Sequence, residues 1–122
     1  MENSKLYAVT GNPVLHSKSP DIYNALFAKH GIAARYIRMR AASAHEAVEI
    51  YCSLGLAGMN VTAPFKEGML ELVATLDHDA AASRGVNTIT GDDALAGFST
   101  DAYGVRAALA SAGAVSGQHA VL

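Results

Sequence analysis

Four short polar clusters carry the side chains of this sequence that could do chemistry. They lie at residues 16–19, 60–66, 87–88 and 99–101. Together they offer hydroxyls, amides, lysine ammonium groups and a carboxylate. Hydroxyls and amides both donate and accept hydrogen bonds with fixed geometry, which suits a small polyhydroxylated anion. The same groups suit a metal ion poorly, and the histidines show no metal-ligand spacing, so we predict no metal site.

The length and composition predict one folded domain. A chain of 122 residues is long enough to bury most of its apolar surface without disulfides or a structural metal. With 51% hydrophobic and 16% charged residues, it is typical of a folded domain and not of a disordered chain. The single cysteine, Cys52, falls in a helical apolar pattern, so we expect its thiol to be buried.

Charge and hydropathy exclude two classes of partner. The formal net charge is -2 and the basic residues are scattered, so the clustered Lys and Arg of a nucleic-acid interface are missing. No stretch approaches the ~20 apolar residues that span a bilayer. Residues 1–5 lack the pattern of a secretory signal. We therefore expect a cytoplasmic protein with no nucleic-acid or membrane partner.

Hydrophobic periodicity predicts strands that alternate with helices. The predicted strands lie at residues 6–9, 35–40, 58–62, 86–90 and 94–98. The predicted helices lie at residues 20–30, 44–55, 65–76, 77–84 and 103–113. This order predicts an α/β fold, a three-layer α/β/α sandwich with a mainly parallel sheet. The hairpin formed by the last two strands contributes an antiparallel member.

These elements place the polar clusters where ligands of such folds usually bind, beyond the carboxyl ends of the strands. The loops to examine therefore follow residues 10, 61, 89 and 98. Ser19-Pro20-Asp21 has the order of a helix start, with Ser19 as the N-cap. A helix N-terminus also attracts anions, so capping and anion binding are compatible at Ser19. Ser17 is the cleaner ligand candidate, because no helix start requires its hydroxyl.

Several candidate residues have an ordinary structural alternative. A lysine such as Lys66 is usually a solvated surface charge. Thr100 or Asp101 could cap the last predicted helix, and Asn60 or Asn87 could bond to loop backbone. The residue types alone leave these alternatives open.

Two longer motifs resemble those of the shikimate dehydrogenase family. Residues 11–20, GNPVLHSKSP, are similar to the family's G-N-P-x-x-H-S-x-S-P, and residues 58–66, GMNVTAPFK, to its G-x-N-V-T-x-P-x-K. Residues 85–88, GVNT, and Thr100-Asp101-x-x-Gly104 resemble two later signatures in the same order. The resemblance therefore covers nearly the whole chain.

The resemblance implies a substrate, a cofactor and a set of site residues. The family interconverts 3-dehydroshikimate and shikimate, a step of aromatic amino-acid biosynthesis, with NADP as the usual hydride carrier. The implied substrate-binding residues are Ser17 and Ser19 for the carboxylate, and Thr62, Asn87 and Asp101 for the ring hydroxyls. Lys66 is implied to be catalytic and paired with Asp101. Hydride transfer to a ketone creates alkoxide charge, which a lysine ammonium can stabilise and protonate, whereas the reverse reaction needs the neutral amine.

Three residues depart from the family's usual pattern. Ser99 stands where Asn usually precedes Thr-Asp, Tyr23 stands where many members have His, and Arg84 replaces a small residue. The implied catalytic pair, Lys66 and Asp101, is unchanged. These changes therefore bear on substrate specificity, for example the choice between shikimate and quinate, more than on the reaction class.

The end of the sequence bears on domain organisation. We expect residues 1–115 to form the substrate-binding domain and residues 116–122 to begin the first strand of an NADP-binding Rossmann domain. No glycine-rich dinucleotide loop follows, so we expect this chain alone to bind substrate without turnover. The alternative is a stand-alone module that binds a shikimate- or quinate-like acid without dehydrogenase activity. The sequence predicts no oligomeric state.

Overall fold

A six-stranded sheet forms the centre of the molecule. The computed structural model describes residues 4–111, apart from the side chains of Ala102 and Tyr103. The strands are β1 (Lys5–Gly11), β2 (Ala34–Arg40), β3 (Gly58–Val61), β4 (Thr75–Leu76), β5 (Thr88–Thr90) and β6 (Ala96–Phe98). Their order is β2-β1-β3-β5-β6-β4. Among these described strands, only β5 runs antiparallel to its neighbours, which confirms the mainly parallel sheet. Strand β2 lies at one edge.

Helices cover both faces of this sheet. They are α1 (Ser19–Lys29), α2 (Ala44–Leu54), α3 (His78–Ser83) and α4 (Asp101–Ser111). Successive side chains of a strand point to opposite faces. On β1, Ala8 packs into a core that contains Tyr51 of α2, whereas Val9 packs into a second core with Phe27 of α1. The layers are therefore helix, sheet and helix, as predicted.

Side-chain caps set the start of two helices. The Ser43 hydroxyl accepts from the Glu46 N–H at 3.0 Å, and the Glu46 carboxylate accepts from the Ala42 N–H at 3.0 Å. These two reciprocal bonds form a capping box. The Asp77 carboxylate accepts from the Ala80 N–H at 2.8 Å and so caps α3. Gly55 ends α2 in the left-handed region with φ of 63°, where a side chain would be strained.

The helix predicted over residues 65–76 is wrong. A short 3-10 turn, Gly68–Glu71, is all that forms there, and β4 follows it. The Ala74 N–H donates to the Leu95 carbonyl at 2.8 Å, and β4 pairs in parallel with β6. Pairing with the exposed side of β6 satisfies backbone groups that a continued helix would leave open, so tertiary context overrides the helical spacing.

Two local predictions are also wrong. Ser19 lies inside α1, whose N-cap position is Lys18, and it is the Ser17 hydroxyl that accepts from the Ser19 N–H, at 3.3 Å. The helix starts one residue earlier than predicted, so the capping function moves to Ser17.

Cys52 is exposed, because α2 buries Ala47 and Tyr51 and the next residue turns away from the sheet.

The described helices are short and amphipathic or polar. Within residues 4–111, none is long and apolar enough to cross a membrane. The predicted helix stop at Gly113 and the predicted strand at residues 116–122 lie outside the described residues.

Candidate active site

The polar clusters meet at one edge of the sheet. The carboxyl ends of β1, β3 and β6 reach this edge, and β5 begins there because it runs antiparallel. Asn87, which precedes β5, therefore joins the site. The loop after residue 89 was a wrong prediction, since the end of β5 lies at the opposite edge.

Gly11 allows two of these loops to pack closely. A Cβ atom at Gly11 would lie 2.5 Å from Thr62 Cγ2 and 3.1 Å from the Ala63 carbonyl oxygen. The Asn12 N–H also donates to that carbonyl at 3.2 Å. Only glycine permits this approach, and it brings the loop after β1 against the loop after β3.

Five of the six predicted site residues line one cavity of about 240 Å³. They are Ser17, Ser19, Thr62, Lys66 and Asn87. The sixth, Asp101, bonds to two of them. A larger cavity of about 650 Å³ lies beside the 3-10 turn and α3, and its lining contains none of the predicted site residues. The chemistry of the side chains therefore favours the smaller cavity.

Lys66 and Asp101 form an ion pair beside this cavity. Lys66 Nζ donates to Asp101 Oδ2 at 3.0 Å, and Asn87 Nδ2 donates to Asp101 Oδ1 at 3.0 Å. The hydrogen bond from Lys66, aided by its charge and by Asn87, holds the pKa of the Asp101 carboxyl below its usual value. The Lys66 and Asp101 side chains are 40% and 61% exposed, so solvent and a ligand both reach the pair.

The Asn87 amide uses all of its hydrogen-bonding capacity. Its Nδ2 donates to Thr100 Oγ1 at 2.8 Å as well as to Asp101. Its Oδ1 accepts from Thr88 Oγ1 at 2.9 Å and from the Thr100 N–H at 3.1 Å. Because an amide offers two donors and two acceptor sites, a ligand hydroxyl that bonds to Asn87 must replace one of these partners.

Ser17 and Ser19 belong to a segment, residues 14–19, that we call the serine loop. The Ser17 N–H donates to the Val14 carbonyl at 3.1 Å. Arg38 of β2 donates from Nε to the Ser17 carbonyl at 3.0 Å, and its guanidinium lies 3.5 Å from the Asp21 carboxylate. Sequence reasoning missed Arg38. The alternating pattern of β2 shows that Arg38 shares a face with Tyr36 but not which loop that face contacts.

Tyr36 was also missed. Its hydroxyl donates to Asn60 Oδ1 at 2.6 Å, and Asn60 lines the cavity. Burial, followed by the neighbouring Tyr23, raises the pKa of the Tyr36 hydroxyl, against an opposing contribution from the Ser19 hydroxyl. Tyr36 thus remains a neutral donor to Asn60.

The three departures from the family pattern lie at different places in the fold. Tyr23 stacks on Tyr36, with ring centroids 4.8 Å apart. Arg84 ends α3 in the left-handed region with φ of 57°. Ser99 is buried, and its N–H donates to the Asp77 carboxylate at 3.3 Å. None of the three lines the cavity that contains Lys66.

Across residues 4–111, no three His, Cys, Asp or Glu side chains lie together in an arrangement that could hold a metal ion.

Comparison with known proteins decides the family. The sequence model described as "Shikimate dehydrogenase substrate binding domain" matches residues 9–89. The chain belongs to this family. The domain is 37% identical over 119 residues to the shikimate dehydrogenase (NADP(+)) of Pyrococcus abyssi. The matched region covers 97% of the domain and 45% of that relative. It is 41% identical over 120 residues to the shikimate dehydrogenase (NADP(+)) of Anaeromyxobacter dehalogenans, and this match covers 96% of the domain and 43% of the relative.

A solved structure agrees with this placement. The domain superimposes with a TM-score of 0.84 and 30% identity on the shikimate 5-dehydrogenase of Listeria monocytogenes crystallised with shikimate and NAD. The match covers 94% of the domain and 41% of that protein. The chain thus spans less than half the length of these relatives.

Proposed function

We propose that this chain is the substrate-binding domain of an NADP-dependent shikimate dehydrogenase that reduces 3-dehydroshikimate to shikimate. The observation that carries the proposal is the Lys66–Asp101 pair, 3.0 Å apart, beside a cavity lined by hydroxyls and amides. The family resemblance gives the reaction and its place in aromatic amino-acid biosynthesis, and we infer a cytoplasmic enzyme on the same ground.

The serine loop supports recognition of the substrate carboxylate. Ser17 and Ser19 line the cavity at the start of α1, where the positive end of the helix dipole favours an anion. The guanidinium of Arg38, bonded to the Ser17 carbonyl, adds a positive charge behind the loop. The Ser17 hydroxyl accepts from the Ser19 N–H and also lines the cavity, so it can both cap the helix start and bind the ligand.

Thr62, Asn87 and Asp101 are proposed to bind the ring hydroxyls. Thr62 and Asn87 line the same cavity as the serines, and Asp101 bonds to Asn87 at its edge. These groups combine donors with acceptors, so they match hydroxyls that do both. A ring acid with its carboxylate at the serine loop would present its hydroxyls to this group.

Lys66 is proposed to be the catalytic residue. Its ammonium is positioned to stabilise the charge that develops on the substrate oxygen and to donate the proton that completes reduction. Asp101 keeps that ammonium in place and orients the neighbouring hydroxyl, so the two act as one coupled unit.

The hydride carrier is expected elsewhere. When bound, NADPH supplies the hydride to the ketone carbon. Residues 4–111 contain no glycine-rich G-x-G-x-x-G loop of the kind that holds dinucleotide phosphates. The residues described here therefore fit the substrate and not the cofactor, which we assign to a second domain.

Calorimetric titration of the 122-residue chain with shikimate and with quinate tests the proposal. We expect saturable binding of shikimate that weakens by about tenfold or more in Asp101→Asn, since a hydrogen bond to a charged group contributes ~1.5–3 kcal/mol. Asp93→Asn is the matched control, because Asp93 lies in the exposed turn between β5 and β6. Failure of the wild-type chain to bind either acid, or an equal loss in both variants, would contradict the proposal.

A further inference from the structure

A continuous chain of side-chain hydrogen bonds connects the interior of the sheet to the reactive pair. Tyr36 Oη donates to Asn60 Oδ1 at 2.6 Å, and Asn60 Nδ2 donates to Thr88 Oγ1 at 3.2 Å. Thr88 Oγ1 donates to Asn87 Oδ1 at 2.9 Å, and Asn87 Nδ2 donates to Asp101 Oδ1 at 3.0 Å. We call these five residues the amide network.

The network has one direction. A carboxylate only accepts, so Asn87 must turn its NH2 toward Asp101 and its oxygen toward Thr88. Thr88 therefore donates to Asn87 and accepts from Asn60, which leaves the Asn60 oxygen facing Tyr36. The Tyr36 hydroxyl is the donor that completes this order.

Tyr36 itself is held rigidly. Asn24 of α1 bonds to both sides of its backbone, donating to the Tyr36 carbonyl at 2.9 Å and accepting from its N–H at 2.9 Å. Tyr36 is 4% exposed, and its ring stacks on Tyr23 with an interplanar angle of 12°. A group fixed at both backbone and ring is suited to orient the side chains that bond to it.

We propose that Tyr36 is a positioning residue for recognition of the ring hydroxyls. Its hydroxyl orients Asn60 and, through Thr88, the amide of Asn87 that contacts Asp101. Tyr36 acts through these residues, which lie at the sheet face. The inference rests on the proposed function for the identity of the ligand, but the orientation of the two amides is independent of any ligand.

The first test uses the ligand-free chain labelled with 15N. Tyr36→Phe removes the hydroxyl and keeps the ring, so we expect the side-chain amide resonances of Asn60 and Asn87 to shift. The amide of Asn24 contacts only the Tyr36 backbone and should remain in place. Tyr23→Phe keeps the stacked ring and is the control in which none of these amides should move. Unchanged Asn60 and Asn87 amides in Tyr36→Phe would overturn the positioning role.

The second test compares two ligands by NMR titration, shikimate and cyclohex-1-ene-1-carboxylate, which has the same ring and carboxylate without the hydroxyls. Tyr36→Phe should weaken the affinity for shikimate about fivefold and change the affinity for cyclohex-1-ene-1-carboxylate, the deoxy acid, by less than about twofold. Thr88→Val, which breaks the network one step later, should repeat this selective loss. Equal losses for both acids would contradict the inference. If the wild-type chain binds no shikimate, the proposed function fails, while the amide shifts still decide whether Tyr36 orients Asn60 and Asn87.

Discussion

The two halves of the candidate site are built in different ways. In the amide network, side chains from β2, β3, β5 and α4 bond to one another across long sequence separations. In the serine loop, Ser17 bonds to Val14 and Ser19, its near neighbours, and one arginine braces it from β2. The half proposed to recognise hydroxyls is a cooperative network, whereas the half proposed to recognise the carboxylate is a local loop.

This difference follows from what each half must recognise. A carboxylate needs positive potential, which the start of α1 and the guanidinium of Arg38 supply. Hydroxyls differ from one ring acid to the next in their positions, so their recognition needs amides held in one orientation. Substitutions in the two halves should therefore have different consequences.

Replacing Lys66 should give the largest effect. In the chain joined to the remaining half of the Pyrococcus abyssi relative, we expect Lys66→Ala to lower kcat by about 100-fold or more, the usual contribution of a proton-transfer residue. Shikimate affinity should fall by less than about tenfold, because the interaction is made mainly in the transition state. Steady-state kinetics and calorimetry measure the two quantities.

Lys29→Ala is the matched control, since Lys29 is exposed at the end of α1. A loss confined to affinity, with kcat unchanged, would remove Lys66 from the catalytic role.

Coupling between substitutions should separate the two halves. Asn87→Ala and Asp101→Asn disrupt the same network, so their effects on shikimate binding should be non-additive by about 1 kcal/mol. Ser17→Ala should weaken binding by about 1–3 kcal/mol by removing a hydrogen bond to a charged carboxylate. The losses of binding free energy caused by Ser17→Ala and Asn87→Ala should add to within ~0.5 kcal/mol in the double variant. Calorimetric double-mutant cycles measure these terms, and strong coupling of Ser17 to Asn87 would show that the halves are not independent.

Arg38 tests how the serine loop is held. Arg38→Met removes the bonds to the Ser17 carbonyl and should weaken shikimate binding by about 1 kcal/mol, roughly fivefold. Arg35→Met on the same strand is the control, because Arg35 is exposed and points to the opposite face of the sheet. Equal affinities of the two variants would mean that Arg38 only contributes to the fold.

The smallest effect is on the titration of Asp101. Its pKa is lowered by Lys66, so the contribution of the pair to stability is present above the ordinary aspartate range and is lost as the pH falls through the lowered pKa. Lys66→Met should raise this pKa toward its usual value, as measured by 13C NMR of the carboxyl carbon. The pKa of Asp79 is lowered mainly by Arg106 and should not respond. A titration of Asp101 that is indifferent to Lys66 would argue against the ion pair in solution.

The sequence predicts the contents of the site better than its supports. Ser17, Lys66 and Asp101 stand in motifs that follow predicted strands, so topology brings them to one edge. Asn87 falls inside the predicted strand at residues 86–90, so only the family motif indicates it. Tyr36 and Arg38 contribute through contacts 24 and 21 residues away in sequence. Such contacts depend on strand order and on the face of β2 that meets α1, which periodicity does not give.

The errors in predicted secondary structure have a similar origin. The apolar spacing over residues 65–76 is genuine, since Phe65 and Met69 are buried. The chain nevertheless leaves the helical path to pair with β6, because an unpaired sheet edge competes for the same backbone groups. Ser19 shows the same limit on a smaller scale, where a shift of one residue moves the cap to Ser17.

Mapping the ligand site by NMR tests the central claim most directly. The 15N-labelled chain is titrated with shikimate while the backbone and side-chain amide resonances are followed. The account predicts saturating shifts at the N–H groups of Ser17 and Ser19 and at the side-chain amides of Asn60 and Asn87. Shifts centred on Glu71 and Arg84, which line the larger cavity, or saturable binding that leaves the Asn87 amide unmoved, would contradict it.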